Sequence, residues 1–273
     1  MELFDNPSNF SINQLRLIPF DKFPGKLNMA IDNYLSTKCQ SNDQPILRFY
    51  GWSPFCVSTG YHQKDELIDL LKLQQDGYDF VQRPTGGRAI LHADELTYSV
   101  IFPRNSIHHR QLYHFIHKIF TDALRSLGYP VELKNDNDKL SGLTHKAIDF
   151  PCFTKSAQTE VQYMNKKLIG SAQKIYAGSI LQHGSLLIGN KHEDLPDYLK
   201  VKSATKNSLK KEIKERTTYL NEISKGNISP EKIIASIINQ LELARGISVN
   251  SKKINDLDME SASKLQSLPR AKN

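Results

Sequence analysis

The most informative stretch of this sequence is Gln82-Arg83-Pro84-Thr85-Gly86-Gly87-Arg88-Ala89-Ile90-Leu91-His92. Runs rich in β-branched and aromatic residues lie on either side of its centre, at residues 78–81, 88–92 and 96–102, and each predicts a strand. Pro84 fixes φ, and the paired glycines allow another group to approach the backbone closely. The stretch therefore predicts a strand–turn–strand unit with bare backbone at its tip, flanked by two guanidinium groups.

The chemistry of this tip leaves two interpretations open. Backbone amides beside Arg83 and Arg88 suit a carboxylate, a phosphate or a thioester carbonyl. An ordinary hairpin turn with solvated arginines is equally consistent with the residues, because Gly-Gly turns are common. The choice between them depends on the rest of the chain.

Composition places the chain among soluble globular proteins. The 273 residues are 39% hydrophobic and 24% charged, which suits one large domain or two small ones. The net charge of +7 favours an acidic partner, either nucleic acid or an acidic carrier protein. Many of the lysines lie in residues 200–214, which predict a solvated helix, and no nucleic-acid-binding motif is recognised. We therefore expect no nucleic-acid partner.

Targeting and cysteine patterns narrow the class further. No apolar run approaches the roughly 20 residues that span a bilayer, so no membrane partner is expected. The acidic first residues lack a signal-peptide pattern, and we expect a cytoplasmic protein. The three cysteines, Cys39, Cys56 and Cys152, are odd in number and form no CxxC pair, which argues against a disulfide framework. The histidines show no metal-ligand spacing, and no metal site is expected.

Periodicity and turn residues predict one domain over residues 1–246, followed by a polar, weakly ordered tail at 247–273. Residues 134–150 predict a mobile loop, and Asn165-Lys166 a turn. The predicted strands are 15–20, 46–50, 55–60, 160–164, 167–173 and 179–188. The predicted helices are 26–37, 64–75, 109–127 and one that begins at Ser229-Pro230 and ends at Gly246.

A second region, residues 151–189, carries three further reactive side chains. Cys152 follows Pro151, and Lys167 precedes the small residues Gly170, Ser171 and Ala172, which let another group lie close to the strand. His183-Gly184 is expected to interrupt the last strand. Each also has a plain structural interpretation, as a buried thiol, a surface lysine and a structural histidine.

The order of these motifs resembles the lipoate-protein ligase and octanoyltransferase superfamily, whose fold is shared with the catalytic domain of biotin-protein ligases. The matching blocks are residues 83–92, 167–173 and 180–187, with weaker matches at 28–32 and 47–52. The resemblance covers roughly residues 15 to 190. It implies an α/β (α+β) domain with mixed, largely antiparallel sheets flanked by helices.

Cys152-Phe153 makes the resemblance more specific, because the ligase-like octanoyltransferases carry a nucleophilic Cys-Phe at this position. The resemblance implies an acyltransferase of protein lipoylation that moves octanoyl from acyl carrier protein, through a thioester on Cys152, to a lysine of a lipoyl domain or a glycine-cleavage H protein. Lys167 is the second implied catalytic residue, and no cofactor is implied. The implied substrate-binding residues are Arg83, Thr85, Gly86, Gly87, Arg88, His92, Gly170, Ser171, Ala172, His183 and Gly184.

Elementary chemistry is consistent with this assignment. A thioester donor is already activated, so its transfer to an amine needs no ATP. A nearby Lys167 ammonium would lower the pKa of a thiol and polarise the acyl carbonyl. Backbone N–H groups near Gly86-Gly87 or Gly170 would complete an oxyanion site. The candidate residues for an apolar slot around the octanoyl chain are Ile90, Leu91, Ile169 and Trp52.

Three alternatives remain open. An ATP-dependent lipoate-protein ligase, using ATP and Mg, would bind lipoyl-adenylate with Arg83, Gly86-Gly87 and Lys167, although the large accessory domain of such ligases is not evident. An enzyme that moves octanoyl between carrier proteins would also use the cysteine. A non-catalytic receptor for acylated carriers would not need it. Gln82 and Ala93 depart from the family pattern, and they put substrate detail in doubt more than reaction type.

Overall fold

A six-stranded mixed sheet forms the centre of the molecule. The structure is a computed structural model that describes residues 12–135, 159–224 and 226–266. In order across the sheet, the strands are β10 (Ile169–Ile175), β11 (Ser179–Leu187), β6 (Glu95–Pro103), β2 (Ile46–Trp52), β1 (Gln14–Phe23) and β12 (Ser248–Ser251). Strands β1 and β2 pair in parallel, as do β1 and β12, and the other pairs are antiparallel.

Two three-stranded sheets complete the β-structure of the described residues. One contains β4 (Asp79–Gln82), β3 (Cys56–Thr59) and β5 (Ile90–His92), in that order. The other contains β7 (Glu132–Asn135), β8 (Thr159–Tyr163) and β9 (Lys166–Lys167). Only one pair in these two sheets, β3 with β4, is parallel. The expected mixed, largely antiparallel architecture is confirmed.

Helices cover both faces of the central sheet. Alternate residues of a strand face opposite sides of the sheet. Tyr98 and Val100 pack beneath helices α3 (His109–Ser126) and α6 (Pro230–Asn239), whereas Ile101 packs beneath α1 (Gly25–Lys38) and α7 (Asp256–Gln266). The helices are α1 (Gly25–Lys38), α2 (Leu70–Gln75), α3 (His109–Ser126), α4 (Ser203–Arg216), α5 (Leu220–Ser224), α6 (Pro230–Asn239) and α7 (Asp256–Gln266), with a 3-10 segment at Lys191–Tyr198 and a π-helical turn at Gln240–Ala244. None of these described helices is long and apolar enough to cross a membrane.

Local sequence explains most of these boundaries. Helix α3 buries Leu112, Ile116 and Phe120 along one face, as their spacing predicts, and Gly128 follows its end with φ of +87°. Helix α6 begins where the Ser229 side chain accepts a hydrogen bond from the Lys232 backbone, with proline at its first position. Helix α4 is the lysine-rich helix that the sequence predicts.

The predicted helix at residues 64–75 is wrong in its first half. Only Leu70–Gln75 is helical, and the Asp69 side chain caps it by accepting from the Lys72 backbone. Ile68 instead forms an antiparallel bridge with Leu199, beside the 3-10 segment. A tertiary contact that local propensity does not encode therefore shortens the helix.

Three smaller expectations also change. The β8–β9 turn consists of Met164 and Asn165, both at positive φ, rather than of Asn165-Lys166. Strand β11 runs through His183-Gly184 without interruption. Part of the expected weakly ordered tail forms β12 and α7. The domain boundary at Gly246 stays a prediction. Residues 136–150 of the expected mobile loop lie outside the described residues.

Candidate active site

Arg83 holds the glycine loop, residues 84–88, in place through hydrogen bonds to its backbone. Its guanidinium donates to the carbonyl oxygens of Gly86 at 3.2 Å and Arg88 at 2.8 Å. Another nitrogen of the group donates to the Ser58 carbonyl and hydroxyl oxygens, at 3.1 and 2.7 Å. Gly87 has φ of +95°, and a Cβ on Gly60 would overlap the Gly87 carbonyl oxygen. Glycine is therefore required on both sides of this contact.

The Ser58 hydroxyl connects Arg83 to His92, and His92 in turn contacts the buried carboxylate of Glu95. Because it accepts from Arg83, its own proton is available to His92 Nε2, which lies 2.6 Å away. The other ring nitrogen of His92 lies 2.7 Å from Glu95 Oε1. Burial would raise the pKa of Glu95, but the contacts from His92, Ser185 and Thr97 hold it below its ordinary value. The chain from Arg83 to Glu95 fixes His92 behind the loop.

Thr85 and His183 link the loop to the central sheet. Thr85 Oγ1 lies 2.6 Å from His183 Nε2, and His183 Nδ1 lies 3.6 Å from the carboxylate of Asp32. Asp32 is fully buried, and it accepts from Arg48 at 2.8 Å and from the hydroxyl group of Tyr50 at 3.0 Å. Burial would raise the pKa of Asp32, but Arg48, His183 and Ser99 hold it below its ordinary value. Burial also lowers the pKa of His183, which favours the neutral ring.

A narrow cavity lies between the glycine loop and strand β10. It contains about 430 Å³ of empty space, part of it open to solvent. Its mouth is marked by exposed Gly87, whereas Tyr50 and Trp52 are buried. The full lining is Met29, Tyr50, Trp52, Arg83, Gly87, Ile90, His92, Thr97, Gly170, Ser171, Ala172, His183, Gly184 and Ser185. The surface that faces the cavity is mainly apolar, which suits a hydrocarbon chain.

Of the four residues expected to line an apolar slot, the cavity contains Ile90 and Trp52. Leu91 and Ile169 are instead packed in two separate buried hydrophobic clusters and do not line the cavity. The Trp52 indole stacks on His92 with ring centroids 4.1 Å apart, and its N–H donates to Thr97 Oγ1 at 2.7 Å. The indole is thereby fixed in the cavity wall.

Gly184 allows two strands and an aromatic ring to meet at the cavity wall. A Cβ at this position would lie 2.5 Å from Ser171 Oγ and 2.7 Å from the Tyr98 ring. Ser171 Oγ in turn bonds the Tyr98 hydroxyl at 2.7 Å and His117 Nε2 at 2.9 Å. His117 lies on α3 and is fully buried.

Lys167 ends β9, and β10, which supplies part of the cavity wall, begins two residues later at Ile169. Its Nζ is 2.7 Å from Glu160 Oε1, and both side chains are buried. The Lys167 carbonyl accepts from the Thr218 backbone at 3.1 Å. The cavity lining does not include Lys167, although it includes Gly170 of β10, which begins two residues after Lys167.

Most of the residues predicted to bind substrate meet around this cavity. Those that line it are Arg83, Gly87, His92, Gly170, Ser171, Ala172, His183 and Gly184. Thr85, Gly86 and Arg88 touch these residues through hydrogen bonds. Cys152 lies outside the described residues.

The sequence motifs do not identify Glu95 or Glu160 as parts of the candidate site, and Asp32 appears in them only as the last residue of the weakly matching block 28–32. A lone carboxylate carries no local signal, because its partners are distant in sequence. Gln82, which departs from the family pattern, donates to the Tyr61 carbonyl at 3.1 Å and holds the neighbouring loop. The described residues contain no cluster of three or more histidine, cysteine or acidic side chains that would hold a metal ion.

Comparison with protein families identifies one domain over most of the chain. The model of the lipoyl protein ligase A/B catalytic domain matches residues 24–242. This range contains every residue that lines the cavity. The family motifs and the cavity therefore belong to the same domain.

Two similar proteins share the name Octanoyltransferase LipM. The protein from Clostridioides difficile (strain 630) is 36% identical over 211 residues, which are 75% of this chain and 74% of its own. The protein from Kyrpidia tusciae (strain DSM 2912 / NBRC 15312 / T2) is 30% identical over 257 residues, which are 92% of this chain and 94% of its own.

Two solved structures share the fold. One is from an archaeal lipoylation system of Thermoplasma acidophilum, a bipartite lipoate protein ligase and its E2 lipoyl domain; its TM-score is 0.74 at 21% identity, and the match covers 94% of this chain and 92% of that one. The other is lipoate-protein ligase A bound with ATP, with a TM-score of 0.74 at 21% identity, covering 96% of this chain and 97% of that one. Fold, motifs and sequence similarity agree, and the chain belongs to the lipoyl protein ligase A/B catalytic domain family.

Proposed function

We propose that this protein is an octanoyltransferase of protein lipoylation. It takes octanoyl from acyl carrier protein and delivers it to a lysine of a lipoyl domain or of a glycine-cleavage H protein. The observation that carries the proposal is similarity to proteins named octanoyltransferase over three quarters or more of this chain, at 36% and 30% identity. The solved ligases, at 21% identity, support the fold alone.

The proposed reaction consists of two acyl transfers. The Cys152 thiolate attacks the carbonyl of the carrier thioester, a new thioester forms, and the carrier thiolate leaves and takes up a proton. The neutral amine of the acceptor lysine then attacks the octanoyl thioester. An amide forms, the amine loses a proton, and the Cys152 thiolate leaves. No ATP is consumed, because the donor thioester already carries the activation.

The described residues have clear roles in this scheme. The apolar cavity holds the octanoyl chain against Ile90 and Trp52. Lys167 supplies positive charge to the thiolate and to the oxygen that becomes negative in each transfer. Backbone N–H groups of Gly86-Gly87 or Gly170 are the candidate oxyanion donors. Arg83 contributes by holding the loop that presents the Gly86-Gly87 N–H groups.

An ATP-dependent lipoate-protein ligase is the second candidate. The observation that favours it is the family model that matches residues 24–242, which describes a lipoyl protein ligase A/B catalytic domain. In that reaction Lys167, Arg83 and the glycine loop hold lipoyl-adenylate, and Cys152 has no chemical role. The two candidates therefore differ in their need for ATP and for the thiol.

Intact-mass spectrometry after incubation with octanoyl-acyl carrier protein, without ATP, tests the proposal. The expected result is an octanoyl adduct that hydroxylamine removes and that Cys152→Ser lacks. Cys39→Ser is the matched control, because Cys39 is a buried thiol packed among apolar residues, and it keeps the adduct. Absence of the adduct, together with modification of the acceptor that requires ATP and lipoate, would establish the ligase instead.

A further inference from the structure

We propose that Glu160 is a positioning residue that holds the Lys167 ammonium charged and in a single orientation. The consequence for catalysis rests on the proposed octanoyl transfer. The ion pair itself is a structural claim that can be tested without any activity. The motifs of the sequence single out the lysine, whereas the carboxylate that faces it lies seven residues earlier on the neighbouring strand.

The β8–β9 hairpin brings the two charges together. Gln162 pairs with Lys167 in the ladder, and Glu160 lies two residues before Gln162, on the same face of β8. Val161, between them, faces the large buried cluster of the central sheet. The tight turn after β8 therefore sets the register that places the Glu160 carboxylate beside the Lys167 side chain.

Both oxygens of Glu160 are engaged. Oε1 lies 2.7 Å from Lys167 Nζ, and Oε2 accepts from Gln162 Nε2 at 2.8 Å. The side chains of Lys167 and Glu160 are only 8% and 7% exposed. The carboxylate is thus held from two sides, and its orientation determines where the ammonium lies.

Lys167 is buried, and a buried ammonium is stabilised by an adjacent carboxylate. An ammonium removed from water favours its neutral form, and an adjacent carboxylate favours the charged form. An ammonium has three N–H donors, and the contact with Glu160 uses one of them. The backbone is also fixed, because Lys167 bridges to Thr217 on its other side.

This arrangement assigns Lys167 a specific chemical role. An ammonium that is kept protonated is a hydrogen-bond donor and a positive charge, and it is not a general base. In the proposed transfer it stabilises the thiolate and the negative oxygen, while the proton of the acceptor amine leaves by another route. Glu160 acts through Lys167 and has no contact with the octanoyl group in this scheme.

The test compares Glu160→Gln and Glu160→Asp with the unmodified protein. Asp197→Asn is the matched control, because Asp197 pairs with Lys210 at 2.6 Å on the surface, where the side chains are 37% and 32% exposed. The first readout is the rate at which trace acetic anhydride acetylates Lys167 at pH 8, measured by peptide mass mapping relative to exposed Lys264. The second is kcat and KM for octanoyl transfer.

We expect Glu160→Gln to raise acetylation of Lys167 at least about tenfold, because loss of the carboxylate favours the neutral amine. We expect kcat to fall at least about tenfold, with KM for the octanoyl carrier within about twofold. Glu160→Asp should recover part of both effects, since it keeps the charge. Asp197→Asn should change neither.

Unchanged acetylation of Lys167 in Glu160→Gln would overturn the proposal, and so would raised acetylation with unchanged kcat. If Glu160→Gln fails to fold, Gln162→Met replaces it, because that change removes the second support of the carboxylate and should shift both readouts in the same direction. An unmodified protein without transferase activity would defeat the proposed function, while the acetylation result would still decide the role of Glu160.

Discussion

Thr85 and His183 form the contact that joins the glycine loop to the rest of the site. Their polar atoms lie 2.6 Å apart, and both residues are buried. Burial lowers the pKa of His183, which favours the neutral ring. A neutral ring has one nitrogen that accepts, and the Thr85 hydroxyl is the group placed to donate to it.

Replacing Thr85 by Val removes this hydroxyl but keeps the shape of the side chain. We expect the free energy of unfolding to fall by about 1–3 kcal/mol, because a buried ring nitrogen loses its partner. The octanoyl transfer rate should also fall, because the loop with Gly87 is no longer held to β11. Urea unfolding and initial rates measure the two effects. Thr85→Ser, which keeps the hydroxyl, is the control. A larger loss of stability in Thr85→Ser than in Thr85→Val would show that the hydroxyl is not the stabilising group.

At the residue scale, the sequence predicts the glycines, Arg83 and His183 of the site, because they stand in compact motifs. It does not predict Asp32, which meets His183 only after the chain has folded. The sequence also suggests that Arg83 contacts an anion. In the structure its guanidinium donates to oxygen atoms of Ser58, Gly86 and Arg88, a role that no local pattern distinguishes from ligand binding.

At the scale of single elements, the β8–β9 hairpin carries a conformational cost at its turn. Met164 has φ of +49° and Asn165 has φ of +62°, the combination typical of a type I′ turn. Asparagine tolerates this conformation, whereas in methionine the close approach of Cβ to the backbone carbonyl makes it unfavourable. The Met164 side chain is 75% exposed, so little packing compensates the cost.

Replacing Met164 by Gly should therefore stabilise the protein by about 1 kcal/mol. Met164→Ala, which keeps the Cβ, is the control and should leave the stability nearly unchanged. Thermal or urea unfolding measures the difference. A destabilised Met164→Gly variant would show that the turn gains more from the methionine side chain than it loses in backbone strain.

Periodicity identifies the elements with strongly apolar faces and misses those whose burial depends on tertiary contacts. Helix α3 is predicted almost to the residue because its apolar stripe is continuous. Helix α7 is missed, since a single fully buried residue, Ala262, anchors its otherwise polar sequence against α1. Strand β12 is short and mostly exposed, and its parallel pairing with β1 leaves no alternating pattern to read.

At the scale of the whole molecule, buried histidines make stability depend on pH. Burial lowers the pKa of His192 to about 4, from an ordinary value of 6.5. Between these two values the unfolded chain binds a proton at this position and the folded chain does not. The free energy of unfolding therefore falls as the pH falls from 6.5 to 4, by up to about 1.4 kcal/mol per pH unit from this one group.

The substitution His192→Gln should flatten this pH dependence. Urea unfolding at pH 4.5, 5.5 and 6.5 compares the slopes, so that any loss of stability common to all three values cancels. His62→Gln is the control, because His62 is exposed at the surface. Parallel slopes for the unmodified protein and His192→Gln would show that His192 takes up its proton equally in the folded and unfolded states.

The indole that stacks on His92 belongs to the only tryptophan among the 273 residues. All of the intrinsic tryptophan fluorescence of the protein therefore originates in the wall of the apolar cavity. An entering hydrocarbon chain displaces solvent from that wall and shifts the emission maximum. Occupancy of the cavity can thus be followed by tryptophan fluorescence, without a label and in the presence of acceptor domains that lack tryptophan.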